Sequence, residues 1–184
     1  MKSIKIVLIF FLIFNSFGCK DDKNTSEETY TEPTISTFYF IRHAEKDRND
    51  YENVDPELNQ KGLGRAMHWA EILNDVTLDA IYTTDYERTT MTAAPVSVKQ
   101  DITLQYYDPE ILDIEQFKVD NLNKNVLVVG HSNTTPELVN MIIGEDKYDD
   151  MDDHDNGSLF IVQITDGKAS DMRLFFNCNC SSER

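Results

Sequence analysis

Basic residues are scarce in this chain: 17 lysines and arginines stand against 33 aspartates and glutamates, a formal charge of −16 over 184 residues. A general nucleic-acid binder needs a basic surface to neutralise phosphates, so that class is excluded and any anion site must be local. Long apolar runs are also lacking. The longest, Ile6 to Phe14, has nine residues where a membrane-spanning helix needs about 20. Cysteines number three, and the close pair Cys178 and Cys180 offers too few ligands for a closed zinc site, although export would allow it to be oxidised. No internal repeat is visible, and no polar boundary after Thr37 marks a second domain. The length suits one domain with a core large enough to need no covalent staples.

Lys2 and Lys5 precede the apolar run, and Asn15, Ser16 and Gly18 lead to Cys19, which is the layout of a secretory signal over residues 1–18. Cys19 resembles the lipidation site of bacterial lipoproteins, and Lys20-Asp21-Asp22 resembles a signal that sends some of them to the outer cell surface. That resemblance implies an exported protein held to the outer membrane by a lipid on Cys19, facing the periplasm or the cell exterior. Residues 19–36 are polar and acidic and read as a flexible tether, leaving 37–184 as the folded domain.

Strand and helix signals alternate through that domain, which predicts a three-layer α/β/α architecture with a mainly parallel sheet. Phe38-Tyr39-Phe40-Ile41 is a buried-strand run that ends in Arg42-His43. In an open α/β sheet such a strand end faces the ligand crevice. A guanidinium there can fork onto phosphate, and a neutral imidazole can be a nucleophile or base. The stretch alone reads equally as a charged strand end. Val126-Leu127-Val128-Val129-Gly130 repeats the pattern and ends in His131.

Between them, Asn59 is placed to cap a helix carrying Leu63, Ala66, Met67, Ala70 and Leu73 on its apolar face. Gly62 and Gly64 in its first turns suggest either close approach to backbone or ligand, or simple fraying. A second strand over 78–83 precedes a helix that Asp85 is expected to cap and Pro95 to stop. Arg88 lies in that helix's first turn, where a cation opposes the macrodipole, so an anion-binding role becomes attractive. A short strand over 102–106 leads to Asp108-Pro109-Glu110, followed by a short helix within 109–120. Thr134 to Glu137 has the form of a capping box opening a helix that runs to Gly144. Residues 145–157 read as a solvated acidic loop; Gln163 occupies the place where a calcium loop requires a bidentate Glu, which rules out an EF-hand. Strands at 158–164 and 172–176 flank an Asp166-Gly167 hairpin turn.

Four motifs occur in order: Phe40 to Glu45, Leu58 to Ala66, Tyr82 to Ala93, and Val129 to Asn133. Together they resemble the histidine phosphatase superfamily, the phosphoglycerate-mutase-like group. The resemblance implies that His43 attacks phosphorus and becomes a phosphohistidine, while Arg42, Arg88 and His131 hold the equatorial oxygens and Glu45 and Asn133 assist substrate binding. It implies no cofactor and no metal, and a small phosphorylated substrate as partner. Ala44 and Asn59 stand where the family often has Gly and Ser or Thr. The general acid belongs on the loop after the third strand, which favours Asp108 and leaves Glu110 and Glu45 open. A metal-independent phosphomonoester hydrolase is the expected function. A phosphate-binding lipoprotein with weak turnover and a mutase-type phosphotransferase are the alternatives.

Overall fold

The computed structural model describes residues 32–178. The expected signal segment, lipidation at Cys19, most of the tether and Cys180 lie outside them, and Cys178 is disulfide-bonded. The elements are β1 (Ile35–Arg42), α1 (Gln60–Ile72), β2 (Ala80–Thr83), α2 (Glu87–Gln100), β3 (Leu104–Tyr106), α3 (Ile114–Asp120), β4 (Asn125–Gly130), α4 (Thr134–Ile143), β5 (Ser158–Thr165) and β6 (Lys168–Phe175). The tether was expected to reach residue 36, but Ile35 and Ser36 already pair with β5 and Ser36 is buried.

The sheet runs β3-β2-β4-β1-β5-β6. Its first four strands are parallel, and β5 and β6 are antiparallel additions. Alternation along the central strands divides the core. Val126 and Val128 join Phe38, Phe40, Phe117, Leu138 and Phe160 on the face covered by α3 and α4. Leu127 and Val129 join Ile41, Trp69, Ile81, Val96 and Leu159 on the face covered by α1 and α2. Strands buried on both faces explain why these segments are apolar without interruption.

Parallel register decides where the chemistry can sit. Arg42 is level with Gly130, and Thr83 with Val129, so β1, β2 and β4 end side by side. The His43 N–H donates to the Gly130 carbonyl at 2.9 Å, carrying the β1–β4 ladder one residue beyond the strands.

Several local expectations give way to tertiary contacts. Leu63 and Met67 are exposed on α1, whose buried side is instead Gly62, Arg65, Ala66, Trp69 and Ala70. Asn59 does cap α1, its side-chain oxygen accepting from the Gly62 N–H. Asp85 does not cap α2; that helix starts after Tyr86, and Asp55 supplies a carboxylate to the Glu87 N–H from another loop. Pro95 lies inside α2 and forgoes only one ladder bond, so the helix continues to a left-handed Asp101. The capping box at α4 does not form, because the Thr134 hydroxyl accepts from the His131 N–H instead. At the other end Gly144 adopts φ 71° and closes α4 as expected, and Asp166-Gly167, both with positive φ, make the hairpin turn.

Candidate active site

The ends of β1, β2, β3 and β4 open onto a cavity of about 650 Å³ whose lining includes Arg42, His43, Arg88, Asp108, Glu110 and His131. Asn133 and Lys46 share it. The strands therefore bring together residues up to about ninety positions apart in the chain, and all but one of the expected site residues meet. Glu45 is the exception: its carboxylate accepts from Arg65 Nε and Nη2 at 2.9 and 2.8 Å and faces Lys61 at 3.2 Å. It ties the turn after His43 to α1, on which a Cβ at Gly62 would collide with the Glu45 carbonyl. The close-approach reading of Gly62 is thus the correct one.

His43 is buried, and its Nδ1 lies 2.8 Å from the Ala44 carbonyl. A carbonyl accepts only, so Nδ1 carries the proton and Nε2 keeps its lone pair. Burial, with smaller contributions from Arg42, His131 and Arg88, pulls the His43 pKa down to about 3. Asn156 Nδ2 donates to the His43 carbonyl, and the Ala44 N–H donates to Thr92 Oγ1 on α2. Both fix the backbone around the imidazole.

His131 faces His43 with ring centroids 5.6 Å apart, and its Nε2 is 2.9 Å from Thr84 Oγ1 at the end of β2. Burial first, then Arg88 and Arg42, lower its pKa to about 4. Both imidazoles are consequently neutral at physiological pH.

The two arginines are held from behind. Arg42 Nη1 donates to the carbonyls of Asp152 and Asp155, and Nη2 to the Asp153 carboxylate at 3.0 Å. Arg88 Nη1 reaches Asp55 at 3.2 Å, while its guanidinium stacks 4.2 Å from the Tyr86 ring centroid. Arg42 Nε and Arg88 Nε are buried and have no acceptor among the described residues. Two buried, unsatisfied cationic donors are costly unless an anion completes them.

The acidic loop is largely exposed, as expected, but part of it also serves the site. Its carbonyls and Asp153 orient Arg42, which holds the Asp153 carboxyl far below its usual pKa together with Arg48. Sequence reasoning missed this, as it missed Asp55, Arg65 and Thr84, because partners some 20 to 110 residues away leave no periodic signal.

Residues 38–115 match the family described as Histidine phosphatase superfamily (branch 1). That match spans 78 of the 184 residues and includes Arg42, His43 and Arg88. The enzyme class is that of a phosphatase. A search of the curated proteins finds no match. The fold is similar to that of a putative phosphohistidine phosphatase SixA from Agrobacterium tumefaciens, at 21% identity and TM-score 0.53, covering 70% of this chain and 92% of that one. It is similar as well to the protein histidine phosphatase SixA complexed with tungstate, at 12% identity and TM-score 0.60 over 76% and 96% of the two chains. Phosphoglycerate mutase from Bacillus anthracis str. Sterne aligns at 17% identity and TM-score 0.57 over 76% and 92%. These likenesses establish the phosphoglycerate-mutase-like α/β fold.

Proposed function

We propose that the chain is a metal-independent phosphomonoester hydrolase acting through a phosphohistidine on His43. The observation that carries this reading is the neutral His43, with Nε2 free, beside two buried guanidinium Nε–H groups that lack acceptors. In the first step His43 Nε2 bonds to phosphorus as the bond to the ester oxygen breaks, and a carboxylic acid protonates the departing oxygen. In the second step the same carboxylate takes a proton from water, which attacks phosphorus, releasing phosphate and restoring the imidazole. Arg42, Arg88 and His131 stabilise charge on the equatorial oxygens, the task a metal clamp performs elsewhere. That a related fold is solved with tungstate, a tetrahedral oxyanion, agrees with a phosphate-shaped site.

Asp108 is our choice of acid. It lines the cavity, and only its Oδ1 is engaged, by the Glu110 N–H at 2.9 Å. Glu45 is a poor alternative because Arg65 and Lys61 hold it in the ionised form, outside the cavity. An adjoining cleft is lined by Glu137, Glu145, Asp146, Asp149 and Asp150, which disfavours polyanionic substrates.

The test is hydrolysis of an aryl phosphate in EDTA by purified protein. Activity is expected to survive chelation, to vanish in His43→Ala, and to proceed through an acid-labile, alkali-stable phosphoenzyme. EDTA-sensitive turnover, or full activity in His43→Ala, overturns the proposal.

A further inference from the structure

Lys46 follows the nucleophile by three residues and lines the same cavity. It differs from every cation around it. Arg42 and Arg48 share Asp153, Arg65 and Lys61 share Glu45, and Arg88 has Asp55. Lys46 Nζ has neither a carboxylate nor a carbonyl partner among the described residues, in a chain with nearly twice as many acids as bases. Its backbone is nevertheless fixed, by a bridge to Leu58 and by the Asn59 side-chain amide donating to its carbonyl at 3.1 Å.

The phosphoryl site has a use for such a group. Three of the five Arg42 N–H groups are taken by the 152–155 loop, leaving Nε–H and one Nη2–H to face a ligand. His131 Nε2 is engaged by Thr84. Three equatorial oxygens that gather charge in the transition state can accept several donors each, so a further cation on the cavity wall adds to what the two guanidinium groups supply. We infer that Lys46 Nζ is a third cation of the phosphoryl site, donating to an oxygen of the transferred phosphoryl group beside Arg42 and Arg88. Partial burial and the like charges of Arg88 and Arg48 depress its pKa, so an arriving anion relieves an ammonium already held among cations. With Arg42 and Arg88, Lys46 completes the lysines and arginines that line the cavity, whose carboxylates are Asp108, Glu110, Glu137 and Asp153.

This inference rests on the phosphoryl reading of the cavity but not on turnover, so two measurements separate them. The first is the Kd for inorganic phosphate by titration calorimetry; the second is kcat/KM for an aryl phosphate. Lys46→Met, which keeps the stem and removes the charge, is expected to weaken phosphate binding about tenfold and lower kcat/KM by about 10 to 100-fold. Lys46→Arg should recover most of both. Lys46→Gln serves as a second neutral variant should the methionine prove insoluble, and Lys99→Met, on the far end of α2, should match wild type. If phosphate affinity and kcat/KM are unchanged in both neutral variants, Lys46 is not part of the site. Wild-type protein that binds phosphate without turnover, with binding weakened by Lys46→Met, upholds Lys46 and overturns the hydrolase proposal. Wild-type protein that does not bind phosphate overturns both.

Discussion

Arg88 shows how one side chain is made available against local preference. A guanidinium in the first turn of α2 opposes the helix dipole, and burial discourages its charge further. Asp55 offsets both effects at once: one carboxylate oxygen accepts from the Glu87 N–H at 3.0 Å and from Arg88 Nη1 at 3.2 Å. The two roles separate by substitution. Asp55→Asn keeps an oxygen for the helix N–H but loses the charge, so its Tm should stay close to wild type while kcat/KM falls about tenfold as Arg88 loosens. Asp55→Ala loses both, and should cost about a further 1 kcal/mol of stability, measured by urea denaturation. Equal stability of the two variants would show that the cap contributes nothing, and wild-type kcat/KM in Asp55→Asn would show that Arg88 needs no partner.

Helix α1 is fastened to the turn after His43 through backbone contact as well as charge. Gly62 lets the helix start lie directly on the Glu45 carbonyl, and Arg65, one turn on, reaches the Glu45 carboxylate and the Phe176 carbonyl. Gly62→Ala must push the helix away from that carbonyl, so a loss of about 1 to 3 kcal/mol is expected even though alanine favours a helix. Chemical denaturation of Gly62→Ala beside Gly64→Ala measures it; a stabilised Gly62→Ala would mean the contact yields without cost. At this scale the sequence was most informative where burial is two-sided. The β1 and β4 runs, the Asn59 cap, the Gly144 stop and the hairpin at Asp166 were all legible, since each depends on neighbours within a few residues. The apolar side of α1 was misread at Leu63 and Met67 because Arg65 takes an inward position that only Glu45 makes tolerable. Likewise the cap of α2 and the function of residues 152–155 depend on partners distant in sequence. Arg42, His43, Arg88, His131 and Asp108 could be named because each ends or follows a strand, or begins a helix, whereas Lys46 looked like one charge among many.

Over the whole molecule, the titrating groups with depressed pKa values tilt stability in one direction. His43 and His131 are held near 3 and 4 in the folded chain, against about 6.5 when unfolded. As pH falls below about 6.5 the unfolded chain binds protons that the folded one refuses, so stability drops with acid; above that pH neither state binds them and nothing changes. Glu45, Asp153, Asp155 and Asp171 are depressed too, and their contributions are lost only lower, as pH falls through the ordinary carboxylate range. The interval from about pH 6.5 to 5 therefore isolates the two imidazoles, before protonation of the acids relieves the repulsion built into a chain of charge −16. Two protons taken up on unfolding correspond to a limiting slope of about 2.7 kcal/mol per pH unit, approached toward the lower end of that interval. Denaturation midpoints measured across it should fall for wild type, and His43→Gln, which keeps a polar side chain but cannot titrate, should show about half the slope. Midpoints that stay level from pH 6.5 to 5 would mean that the histidines charge freely in the folded state, which would remove the depressed imidazole on which the proposed phosphoryl transfer relies.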